Sequence, residues 1–341
     1  MSKRGVILVN LGSPASANVS DVKKYLAEFL MDKRVMDVPS PLRKILVRGM
    51  IVPFRAKKSA KKYTEIWQPE GSPLIHISKD LQKAVQAEMP INIELAMRYG
   101  LPDSKQAYEN LLQKNPDLEE VIIVPLYPHY AMSSYETAVE YMKEIYQKNH
   151  YHFALKIIPP YYANADYINV LAKSIAPFLQ TNFDQILFSY HGIPVRHLYK
   201  SDSTHGKHFL NSMDDCCENT AAHDTCYRYQ VLTTSKLVAE KLGLKKEQWQ
   251  LSFQSRVGKN SWLKPATQER LKSLPAEGIK NLLVVCPAFV SDCLETLEEI
   301  NIHGRNIFLQ NGGKSFTYIP CLNTNECWVK TLVQLINNTI N

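Results

Sequence analysis

Four short apolar runs rich in β-branched residues stand out along the chain: VILVNL (6–11), VIIVPLY (121–127), ILFSYHG (186–192) and LLVVCPAF (282–289). Each is followed by Gly, Pro or a polar turn, and then by helix-like periodicity. Apolar runs of this length without alternation suit strands buried on both faces of a parallel sheet. Strands alternating with helices predict an α/β architecture in three layers.

The pattern repeats. Leu11-Gly12-Ser13-Pro14 after the first run resembles His191-Gly192-Ile193-Pro194 after the third, and Met97-Arg98-Tyr99-Gly100 resembles Ser255-Arg256-Val257-Gly258. The segment 121–142 resembles 282–300, down to Glu136-Thr137 and Glu295-Thr296. Three correspondences in the same order predict two similar half-molecules. The expected division is an N-terminal domain over 1–165, a C-terminal domain over 166–323 and a terminal helix over 324–341. Two stretches, 34–72 and 196–229, have no counterpart in the other half, and insertions of that kind belong at a functional rim.

Composition narrows the class. With 341 residues, 45% hydrophobic and 21% charged, the chain has the make-up of a globular protein and not of a disordered one. Seven Cys, two of them adjacent, fit a reducing compartment better than a secreted disulfide framework. The first apolar run is too short for a secretory leader, and no stretch approaches the roughly 18 apolar residues of a membrane span. The expected location is therefore cytoplasmic, at most peripheral to the inner membrane. A net charge of +7 admits nucleic acid, but the densest cluster, Arg55, Lys57, Lys58, Lys61 and Lys62, reads first as a solvated helix face. No reader motif supports nucleic acid as a partner.

The candidate chemistry follows the strand ends, because ligands of open parallel sheets bind outside their carboxyl edges. His191 closes the third run, where an imidazole can accept a proton near neutral pH or bind a transition metal. Gly192 after it is expected to let the backbone turn sharply. Beyond the fourth run, Ser291 or Asp292 can cap a helix on which Glu295, Glu298 and Glu299, at i, i+3 and i+4, would form one acidic face. One His with one carboxylate makes a mixed N/O site suited to ferrous iron. Tyr63, Tyr127, Tyr130, Tyr190, Trp262 and Phe289, grouped with Arg55 and Arg98, suit a large flat apolar ligand bearing carboxylates. No phosphate-binding glycine motif and no nucleophile elbow is present, and Gly312-Gly313-Lys314 reads as a hairpin turn. Cys216, Cys217 and Cys226 lie in the second insertion, but adjacent Cys with a third nine residues on is not a zinc-finger spacing.

At these residues the chain resembles the ferrochelatases, and within them the Gram-negative bacterial branch. The carriers are VNLGSP, FLMDKRVMD, EGSPL, MRYG, PLYPHY, SYHGIP, FQSRVG followed by Trp262, CPAFVSDCLETLEEI and GGKSFTYIPCLN. The resemblance implies two similar Rossmann-like domains of chelatase type with a cleft between them. It implies insertion of ferrous iron into a dicarboxylic porphyrin, most simply protoporphyrin IX, with release of two protons. His191 and Glu295 would be the metal and proton-transfer pair, with Glu298 and Glu299 as a relay. Arg55, Tyr63, Ser72, Arg98, Tyr127, Trp262, Phe289 and Asp292 would line the porphyrin pocket, Arg55 and Arg98 orienting propionates. The stretch 41–54 would be an apolar lip, its Ile45, Leu46, Met50, Ile51 and Phe54 covering the macrocycle or touching a membrane.

Iron enters as a substrate, and no cofactor is required. Some relatives carry a 2Fe–2S cluster; here Cys216, Cys217 and Cys226 would need a fourth ligand from His or a remote Cys. Where many animal members have His before the glutamate, this chain has Cys293. A monomer and a homodimer both remain open. The rival readings are a cobalt or nickel chelatase acting on another tetrapyrrole, and a non-catalytic haem or metal carrier, which would have no need of Glu295.

Overall fold

The computed structural model describes residues 3–206, 220–256 and 261–340. Its contacts separate two units. The first comprises Met1–Tyr127, Met132–Pro159 and Asn323–Asn341, and the second Pro128–Ala131 and Pro160–Leu322.

In the first unit, strands β1 (Arg4–Gly12), β2 (Asn92–Tyr99), β3 (Glu120–Pro125) and β4 (Ala154–Ile157) form a sheet in the order β2-β1-β3-β4. All pairs are parallel, with Val6 in register with Ile93 on one side and Ile122 on the other. A parallel sheet needs a crossover between neighbours, which the helices supply: α1 (Val19–Met31), α2 (Ser40–Lys44), α3 (Val52–Ile66), α4 (Pro73–Glu88), α5 (Ser104–Lys114) and α6 (Thr137–Lys148). Asp103 starts α5 by accepting the N–H groups of Lys105 (2.8 Å) and Gln106 (3.1 Å). Ile7 and Val9 pack with Tyr108 and Leu111 of α5 and Met142 of α6. Between α2 and α3 the chain forms a π-helix, Ile45–Ile51, so residues 40–66 of the first insertion are continuously helical.

The second unit repeats this plan. Strands β5 (Gln185–His191), β6 (Trp249–Gln254), β7 (Asn281–Val285) and β8 (Ser315–Tyr318) are parallel in the order β6-β5-β7-β8. α7 (Ala165–Ile175) precedes β5, and between the strands run α8 (Val195–Ser201), α9 (Tyr227–Lys241), α10 (Thr267–Ser273) and α11 (Arg305–Gln310). The likeness reaches single bonds: in β2 the Met97 N–H donates to the Pro102 carbonyl, and in β6 the Phe253 N–H donates to that of Pro265, both at 2.8 Å.

Two local expectations are corrected. Glu295–Gly304 is a π-helix. Its wider turn, closed by i→i+5 bonds, keeps residues four and five apart in a row and swings i+3 aside. Glu298 is accordingly buried while Glu295 and Glu299 are half-buried, so the three carboxylates do not share one face. Gly312 and Gly313 end α11, their N–H groups donating to Leu309 (3.1 Å) and Phe308 (3.0 Å); β7 and β8 are parallel, so no hairpin exists there. The terminal helix α12 (Glu326–Ile340) packs on α4 and β3 within the first unit.

Candidate active site

His191 is the last residue of β5, paired in register with Gln254, the last of β6. Its carbonyl accepts the Tyr227 hydroxyl at 2.8 Å, and its ring meets Phe289 edge-on, centroids 6.3 Å apart. The next residue is Gly for a reason other than the expected turn. A Cβ on Gly192 would stand 2.7 Å from the Gln254 carbonyl oxygen, which accepts the Gly192 N–H at 2.8 Å. Close approach of two strand ends requires the glycine. The chain then pairs back on itself, Leu263 N–H donating to Ile193 at 3.1 Å and Val195 N–H to Ser261 at 2.9 Å. Trp262 is thereby tied to the His191 turn through its bridge to Pro194.

Glu295 opens the π-helix. The helix is not capped by Ser291 or Asp292 as expected. Instead the Thr296 hydroxyl accepts the Cys293 N–H at 3.0 Å and donates to Asp292 Oδ1 at 2.9 Å. The same Oδ1 accepts the Tyr318 hydroxyl from β8 at 2.5 Å. Asp292 is buried, so its carboxylate braces the helix start against the sheet. Both Glu299 oxygens are engaged by Ser255, with the N–H at 2.8 Å and the hydroxyl at 2.6 Å. A relay through Glu299 would have to break these bonds. Ser255 sits at φ 65°, an uncommon conformation for a residue with a side chain, which the two bonds hold.

Two buried thiols, Cys286 and Cys293, and the half-buried Cys321 stand near the helix start. Burial pushes Cys286 up, with the Asp292 and Glu299 carboxylates adding to it; burial and then the Glu295 carboxylate do the same to Cys293. Burial also raises Cys321, whose sulfur lies 3.4 Å from the Tyr318 hydroxyl. All three stay protonated at neutral pH, so Cys293 is no substitute for a histidine that exchanges protons in that range. No group of three or more His, Cys, Asp or Glu among the described residues forms a closed metal cage.

His191, Trp262, Phe289, Asp292 and Glu295 thus belong to one unit and gather beyond the carboxyl ends of β5, β6 and β7. Arg55, Tyr63, Ser72, Arg98 and Tyr127 belong to the other. Within that unit, Tyr63 is buried on α3 with its ring edge-on to Trp67, Ser72 precedes α4, and Tyr127 packs into the apolar core. Arg55 is half-exposed on α3.

Arg98 does not match its expected role with a propionate. Its guanidinium is paired with Asp32, donates to the Thr137 hydroxyl at 2.8 Å, and lies between the Tyr99 and Tyr141 rings at 4.3 and 4.2 Å. Burial opposes ionisation of Asp32. The Thr137 hydroxyl, the Arg34 N–H, the Arg98 charge and the Tyr99 hydroxyl outweigh it and hold the carboxyl below its usual range. Arg98 therefore already has its anion.

Of the candidate cluster cysteines, Cys226 is buried at the start of α9, its sulfur accepting the Tyr229 N–H at 3.5 Å. Cys216 and Cys217 lie outside the described residues. Sequence reading passed over Gln254, Tyr227, Thr296, Tyr318 and His129. Gln254 had a signal, since FQSRVG stands in the second half where MRYG stands in the first.

The family model described as Ferrochelatase matches residues 3–340. The ferrochelatase of Stutzerimonas stutzeri is 46% identical over 338 residues, 98% of each chain. Those of Ectopseudomonas mendocina and Azotobacter vinelandii are each 44% identical, covering 97% and 98% of this chain. Among solved structures, SirB from Bacillus subtilis with Fe3+ aligns with a TM-score of 0.56 at 9% identity, over 99% of this chain and 96% of its own. That likeness shows the two-domain chelatase fold. The chain belongs to the ferrochelatase family, lyases that insert ferrous iron into a porphyrin in haem synthesis.

Proposed function

We propose that His191 and Glu295 carry the insertion reaction, with His191 taking a pyrrole proton and Glu295 guiding the ferrous ion. The observation that supports this most is their shared support: β5 and β6 fix His191 in register with Gln254, and the Gln254 side chain holds the carbonyl of Glu295. The reaction must remove two N–H protons from the ring and strip water from a divalent ion. An imidazole at the mouth of a rigid sheet suits the first task, and a carboxyl group on a braced helix suits the second. Phe289, edge-on to His191, and Trp262, tied to the same turn, offer apolar surface to a flat macrocycle.

In the first unit the reading assigns porphyrin contacts to Tyr63, Ser72, Tyr127 and Arg55. Arg55 replaces Arg98 as the cation for a propionate because no ion pair among the described residues occupies it. Asp292 and Glu299 act by bracing, and Glu298 is a buried neighbour, not a member of a relay row. Protoporphyrin IX is the substrate this reading expects.

The lip extends the reading to location. Leu42, Ile45, Met50 and Phe54 are exposed, Phe54 at 83%, and Arg43, Lys44, Arg48, Lys57 and Lys58 flank them on the same excursion. Apolar tips ringed by cations fit an anionic bilayer surface. No helix among the described residues is long and apolar enough to cross a membrane, so a cytoplasmic protein touching the bilayer peripherally is the state proposed.

The test is loss of metal-free porphyrin fluorescence on adding ferrous iron without oxygen. His191→Ala should abolish insertion while leaving porphyrin Kd within about twofold, and Glu295→Gln should lower turnover severely without weakening porphyrin binding; the loss in His191→Ala should reach at least about 100-fold, the scale of proton-transfer catalysis. Near-normal turnover in His191→Ala, or a Glu295→Gln defect confined to porphyrin affinity, would sink the assignment. Cobalt and nickel tested alongside distinguish the rival chelatase, and tight binding without product would indicate a carrier.

A further inference from the structure

We propose that Gln254 is a positioning residue, its one buried side-chain amide fixing the Glu295 end of the π-helix against the strand that carries His191. Gln254 ends β6 and is 2% exposed. Its carbonyl accepts the N–H of Gly192 at 2.8 Å, clamping the two strands immediately after His191. Its side chain reaches three further elements. Nε2 donates to the carbonyl of Glu295 at 2.9 Å, and Oε1 accepts the Ser189 hydroxyl of β5 at 2.8 Å and the Cys286 thiol beyond β7 at 3.6 Å.

An amide is the side chain this position requires. It must present a donor to a carbonyl on one side and an acceptor to a hydroxyl and a thiol on the other, and a carboxamide does both without charge from two separate atoms. Glu295 is the first residue of the π-helix. A side-chain N–H on its carbonyl enters the place where an α-helical ladder would otherwise close, a recognised cause of departure from α geometry. The next residue extends the brace, since Ser255 holds the Glu299 carboxylate one π-turn further along. Gln254 and Ser255 together register the helix against the sheet, and Gln254 touches the supports of both His191 and Glu295.

This inference rests on the assignment of His191 and Glu295 above, and the experiment separates the two. Gln254→Met keeps the volume and removes both polar ends. A misplacement of about 1 Å at a reacting group costs on the order of 100-fold in rate. The expected result for Gln254→Met is therefore a kcat lowered tenfold to a hundredfold, an unchanged KM for porphyrin and a displaced pH profile of kcat, measured on folded full-length protein. Ser189→Ala, which removes one bond to Oε1 and leaves Nε2 in place, should shift the same quantities in the same direction by a smaller factor. It stands as the decisive variant if Gln254→Met does not fold. A kcat within twofold of wild type with an unmoved pH profile overturns the proposal, even if the melting temperature falls, because that pattern marks a purely structural amide. His191→Ala and Glu295→Gln run in parallel: if they are active the underlying assignment fails, and if they are inactive while Gln254→Met is normal only the role of Gln254 fails.

Discussion

At the scale of the residue, His129 shows how surroundings set a side chain's chemistry. Its ring lies edge-on to Tyr190 and Tyr227, with centroids 5.4 and 6.2 Å away, and Nε2 is 2.9 Å from the Thr234 hydroxyl oxygen. That hydroxyl gives its own proton to the Tyr162 carbonyl at 2.7 Å, so it can only accept from His129. The proton therefore sits on Nε2, and Nδ1 is left bare in an apolar shell. Burial lowers the pKa of His129 to about 3. The unfolded chain binds this proton near pH 6.5 and the folded chain does not, so stability is full above 6.5 and drains as pH falls towards 3. The melting-temperature gap between wild type and His129→Gln should consequently narrow between pH 7 and pH 4.5. A gap that stays constant over that range would show that His129 is not held neutral. Nothing in the sequence signals this state, because it depends on rings about 60 and 100 positions away.

Among the elements, legibility follows position in the sheet. The four runs readable as strands are β1, β3, β5 and β7, the central pair of each sheet. These are buried on both faces and so are written as uninterrupted apolar stretches. The outer strands are harder to read: β4 and β8 have only four residues each, and β2 carries Glu94, buried yet paired with Lys114 and Asn110. The π-helices left no mark in the periodicity either, because their register is set by partners such as Gln254 and Thr296. Gly192 illustrates a reading correct in residue and wrong in reason. Gly192→Ala forces backbone apart, since the added Cβ meets the Gln254 carbonyl oxygen at 2.7 Å. It should cost about 1–3 kcal/mol, the range for overpacking, and lower activity through His191. Gly49→Ala, with nothing within 4 Å in the lip π-helix, should be neutral or stabilise by up to about 1 kcal/mol. Urea unfolding of both variants checks the contrast, and equal midpoints would refute the close-approach account.

For the whole molecule, the repeat was visible in sequence because three motif pairs occur in the same order, and both sheets have the same strand order. The candidate site was legible in its identities, His191 and Glu295, but not in its supports, which are single hydrogen bonds between distant positions. Surface chemistry also belongs to this scale. If the lip meets an anionic bilayer, replacing Ile45 and Phe54 together by Ser should weaken co-sedimentation with phosphatidylglycerol vesicles by tenfold or more, since burying one such side chain contributes about 1.5–3 kcal/mol. Raising salt should weaken it further by screening the flanking cations. Undiminished sedimentation of the double variant would remove the lip from membrane contact.

The assignment of α12 to the first unit bears on how the protein comes off the ribosome. Trp328, Leu332 and Ile336 are fully buried there, although the residues 160–322 that precede them in synthesis belong elsewhere. During translation the sheet bearing His191 has every strand in hand while the earlier-made sheet still waits for its last cover. The half begun first is thus the half completed last, and its waiting apolar surface is what a nascent-chain chaperone would meet.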